Sequence, residues 1–82
     1  MNVLQKLTVK TVSKLWKERE ELFMSDTVMF AQDAAVDSAG IAFLVQWAKS
    51  QKHSKLIIKN APLNALQLIK TFRLQDLFEV QK

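Results

Sequence analysis

The chain has 82 residues, room for one domain, and 49% of them are apolar, so a small core can form. It contains no cysteine, one histidine, one glycine and one proline, which excludes a disulfide framework, a cysteine-based zinc site and a glycine-rich phosphate loop. The formal charge is +4, and the stretch between Asp37 and Asp76 holds Lys49, Lys52, Lys55, Lys59, Lys70 and Arg73 without one acidic residue.

Val3 to Leu7 alternates enough to read as a short strand. Thr8 or Thr11 can cap the helix that follows. Val12, Leu15, Trp16, Leu22 and Phe23 then fall at helical spacing, with Arg19 between them. Lys14, Lys17, Glu18, Glu20 and Glu21 cover the other face, and Lys17 with Glu21 is a four-apart pair. Ser25 and Asp26 end this helix. Thr27 to Ala31 reads as a buried strand, and Gln32 to Val36 as a loop. Ser38 is expected to cap a helix over Ala39 to Gln51, which is apolar on most sides and therefore buried. Lys49, Lys52 and His53 sit where that helix ends, and cations there suit its dipole. Leu56 to Ile58 is a further short strand. Pro62 suits the first turn of a last helix, along which Leu63, Leu66, Ile69 and Phe72 recur. Leu77 to Val80 reads as an edge strand.

This order, β-α-β-α-β-α-β, predicts an α/β domain spanning 1–82 with a mainly parallel sheet. Right-handed crossovers in so short a chain place the helices mostly on one face. Lys6, Lys10 and Lys14 interrupt the N-terminal apolar residues, so no signal peptide is expected. The longest apolar run, Ile41 to Val45, is too short to span a bilayer, and the expectation is a soluble cytoplasmic protein without direct membrane insertion.

Catalytic constellations are hard to find. His53 stands among lysines, and Glu18, Glu20 and Glu21 lie on a polar helix face with no sign of acid/base pairing. No metal or cofactor site is expected. The basic second half is either a solvated face or an attractor of an anionic partner. No aromatic residues interleave with its lysines, which speaks against a single-strand nucleic-acid platform. The informative segment is Ala35-Val36-Asp37-Ser38-Ala39-Gly40-Ile41. Asp37 and Ser38 can satisfy free N–H groups at a helix start, and Gly40 allows close approach in the first turn. A serine there is either a plain cap or a phosphoacceptor.

Val36 to Val45 resembles the core signature of STAS domains, the family of anti-sigma-factor antagonists and sulfate-transporter C-terminal domains. Within it the likeness is greatest to the MlaB-like branch, the STAS subunits of the bacterial ABC transporter that maintains outer-membrane lipid asymmetry. Leu15-Trp16-Lys17-Glu18-Arg19-Glu20-Glu21 resembles the first helix of that branch, and the likeness extends weakly to Leu74. The resemblance implies a STAS-like fold and a non-catalytic subunit, held at the inner membrane through a transporter ATPase whose assembly and activity it supports. It places the partner-binding surface at Trp16, Asp37, Ser38, Ala39 and Gly40. Ser38 takes the Ser/Thr place after the aspartate, and Trp16 the tryptophan place; otherwise Trp16 is a core residue. Asp37 and Gly40 shape the surface more than they bind, and Phe43 and Trp47 are core or secondary contacts.

Two departures stand out. The phosphorylated serine of the anti-sigma antagonists directly precedes the glycine, and here that place is Ala39. A kinase-controlled switch is the alternative function, with Ser38 its remaining acceptor. The family also begins with an additional strand that this sequence lacks, which predicts an exposed sheet edge open to a partner or to homodimerisation.

Overall fold

The computed structural model describes residues 3–51 and 54–81. The expected cations Lys52 and His53 lie outside the described residues. Four strands, β1 (Val3–Leu7), β2 (Thr27–Val36), β3 (Leu56–Lys59) and β4 (Phe78–Gln81), form one sheet in the order β1-β2-β3-β4. Every neighbouring pair is parallel. The connections carry α1 (Val9–Lys17) and α2 (Arg19–Leu22), then α3 (Ser38–Ser50), then α4 (Leu63–Thr71). The α/β architecture read from the sequence is therefore the observed one.

Successive crossovers of one hand, each stepping to the next strand, lay their helices on one side of a sheet. Accordingly α1 packs beside α3, and α3 beside α4. Strand side chains alternate between faces. Leu4, Leu7, Val28, Phe30, Leu56, Ile58 and Phe78 are buried beneath the helices, where Ile41, Phe43, Leu44, Trp47, Ala65 and Ile69 meet them. On the opposite face Val3, Gln5 and Glu79 are exposed, and Met29, Ile57 and Lys59 are half-buried.

Three departures from expectation bear on the site, besides Pro62 being the N-cap of α4 and the last strand starting at Phe78. The first helix is two: α1 closes at Glu18, whose N–H returns to the Leu15 carbonyl at 3.0 Å, and α2 restarts at Arg19. Its periodicity continues across the break, which is why spacing alone does not reveal it. The segment Gln32 to Val36 is strand, not loop. It continues β2, but β2 advances from Phe30 to Ala35 while β1 advances only from Leu4 to Lys6. This bulge destroys the alternation by which a strand is recognised. Last, the N-cap of α3 is Asp37, and Ser38 is its first helical residue.

The end of α4 is held by a Schellman closure. Leu74 N–H bonds to the Ile69 carbonyl at 2.9 Å and Arg73 N–H to the Lys70 carbonyl at 3.1 Å. Arg73 takes the left-handed position, φ 57°, that glycine usually fills. A short 3-10 turn, Gln75–Leu77, then leads into β4.

Candidate docking surface

Two helix starts meet at the carboxyl ends of β1 and β2. Thr8 caps α1 in a reciprocal box: Lys10 N–H donates to the Thr8 hydroxyl at 3.3 Å, and Thr8 N–H to the Thr11 hydroxyl at 3.0 Å. Asp37 serves both helices. Its Oδ1 accepts from Gly40 N–H in α3, and its Oδ2 from Val9 N–H in α1, each at 3.0 Å. These donors, Val9 first and then Gly40, hold the carboxyl below its ordinary value of 3.8.

Gly40 is buried against the end of β1. A Cβ built there would overlap the Leu7 carbonyl oxygen, so no side chain fits without moving the strand or the helix. Asp37 and Gly40 thus form a structural joint. Ala39 is half-buried beside it, and Ser38 is exposed.

The exposed side of α3 carries Ser38, Ala42, Gln46 and Lys49, which fall on one stripe of the helix. Trp16 flanks this stripe on the α1 side. It is 40% exposed, so it is not a core tryptophan. Its ring packs edge-on against Phe43 and Phe23, with both centroids at 6.4 Å, and the Arg19 guanidinium lies 4.4 Å above it. Arg19 Nη1 also donates to the Trp16 carbonyl at 2.8 Å, which fixes the stacked pair. Phe43 and Trp47 are buried, as read from the sequence.

Phe72, 49% exposed, flanks the other side. Together with Ser38, Ala42, Val45, Gln46 and Leu74 it borders a shallow groove of about 320 Å³. Spacing could not assign Phe72 to a surface, because it lies on the apolar stripe of α4. Its exposure follows from its place at the cap, where the chain turns away.

The candidate residues therefore divide. Ser38 and Trp16 are both exposed but are not in contact: Trp16 meets α3 at Phe43, which lies about 7.5 Å further along the helix axis than Ser38 at 1.5 Å per residue. Asp37 and Gly40 build the joint that holds α1 and α3 together. Among the described residues no group of three or more His, Asp or Glu could hold a metal ion. No described helix is long and apolar enough to cross a membrane. Comparison of the chain with protein-family models, curated proteins and solved structures gives no match.

Proposed function

We propose that this chain is a non-catalytic subunit of the STAS type that docks on the ATPase of a bacterial phospholipid ABC transporter and supports its assembly and activity. In this reading it is a peripheral component on the cytoplasmic side of the inner membrane. The observation that carries the reading is the exposed α3 stripe of small and polar residues, with Phe72 bordering its groove and the part-exposed Trp16 packed on the same helix through Phe43. Trp and Arg are the residues most often found to anchor interfaces, and Trp16 with Arg19 is a pre-stacked pair of that kind. Ser38 offers a hydroxyl at a helix start, and Ala42 lets a partner backbone approach. The STAS likeness of Val36 to Val45 and of Leu15 to Glu21 supports the same surface.

Co-expression with candidate transporter ATPases and affinity capture tests it. Trp16→Ala and Ser38→Asp are each expected to weaken the complex by about tenfold or more, the loss of a central anchor. Their far-UV spectra should match the parent. Capture unchanged by both variants refutes the surface.

The exposed Ser38 hydroxyl favours a second reading, a regulatory protein recognised by a kinase of the anti-sigma type. Phosphate on Ser38 after incubation with such a kinase, read by mass spectrometry, would support it over the first. Ala39, at the usual acceptor place, supports the first.

A further inference from the structure

The sheet presents a second surface that the reading above does not use. β1 lies at its edge, and among the described residues no strand pairs with its outer side. A groove of about 290 Å³ runs along that side, between Gln5 and Lys6 of β1 and Thr11, Lys14 and Leu15 of α1, with Glu18 at its far end. The Thr11 hydroxyl donates to the Lys6 carbonyl at 3.0 Å and ties the two walls together. A strand edge beside a helix is the geometry in which an extended peptide adds a strand, its backbone on the edge and alternate side chains in the groove. We infer that the outer edge of β1 takes an extended acidic segment of a partner protein as an added strand.

Charge decides the occupant. Lys6 and Lys14 stand on the two walls, and Lys10 and Lys17 share with Lys14 one exposed side of α1. An acidic strand meets these lysines. A second copy of this chain would bring a β1 whose one charged residue is Lys6, adding a cation to this edge and no acid to meet Lys6 and Lys14. A lysine on an edge strand is also a common guard against self-pairing. The segment needed is short, because five residues of β1 offer an edge of about 17 Å.

The test is independent of any transporter and uses the full chain labelled with nitrogen-15. It is titrated with an acetylated Val-Glu-Val-Glu-Val-Glu peptide, with its lysine counterpart and with a version carrying proline at its centre. Shifts are expected at the amides of Val3 to Leu7 and along α1, for the acidic peptide alone, weakening as salt is added. Lys6→Glu with Lys14→Glu should reverse the preference toward the lysine peptide, a swing of about tenfold for two charge pairs. Should the paired variant misfold, Lys14→Glu alone, on an exposed helix position, must still weaken the acidic peptide. The inference is overturned by shifts confined to other surfaces, by equal binding of the proline peptide, or by lysine variants that leave acidic binding intact. Concentration-dependent shifts at β1 without peptide would overturn it in favour of a second copy.

Discussion

The Asp37 carboxylate accepts from Val9 N–H at 3.0 Å, a bond between the start of α1 and the cap of α3, 28 residues apart in the chain. Its other oxygen accepts from Gly40 N–H within α3 itself. One negative charge therefore faces two helix N-termini, both carrying partial positive charge.

This joint predicts a pH dependence. The folded carboxyl titrates below its ordinary value of 3.8, so the unfolded chain takes up its proton first as pH falls. The stabilisation is complete above the ordinary value and is lost as pH drops through the folded one. Asp37→Asn keeps a capping oxygen but cannot ionise. Urea denaturation at a series of pH values should show the parent ahead of Asp37→Asn near neutrality, with the gap narrowing below about pH 3.8. A gap that widens on acidification refutes the assignment.

Gly40 admits no side chain without a shift of the backbone. The Leu7 carbonyl lies where a Cβ would be, and backbone cannot swing aside as a flexible side chain can. Gly40→Ala should cost about 3 kcal/mol or more, at the upper end of overpacking effects. Denaturant midpoints measure it. A cost below about 0.5 kcal/mol, the range of an ordinary surface change, would mean that the contact relaxes freely.

The two tryptophans should separate stability from binding. Trp47 is buried and its Nε1 donates to the Ser25 carbonyl at 2.9 Å. Trp47→Phe removes that bond and leaves a void, at an expected cost of about 1–2 kcal/mol. The remaining fluorescence then comes from Trp16 alone. Its partial exposure predicts emission readily quenched by iodide, which the Arg19 guanidinium over the ring attracts. A shielded, unquenched signal would contradict the proposed anchor.

What the chain reveals locally is the element order and the buried stripes. Strand and helix periods are written over a few adjacent residues, so Val3 to Leu7, the α3 run and Leu56 to Ile58 can be recognised without knowing what they touch. The parallel α/β arrangement follows from that alternation. Tertiary contact decided the rest. Asp37 and Ser38 both belong to good capping types, and only the nearness of Val9 N–H and the Leu7 carbonyl makes Asp37 the cap and Gly40 the third helical residue. Gln32 to Val36 lacks strand periodicity and becomes strand because β1 pairs with it beyond a bulge. Trp16 shares its helix face with core residues, and its exposure depends on how far α3 covers α1. Periodicity reports the face a residue occupies. Burial depends on neighbours far away in the chain, and those the fold alone supplies.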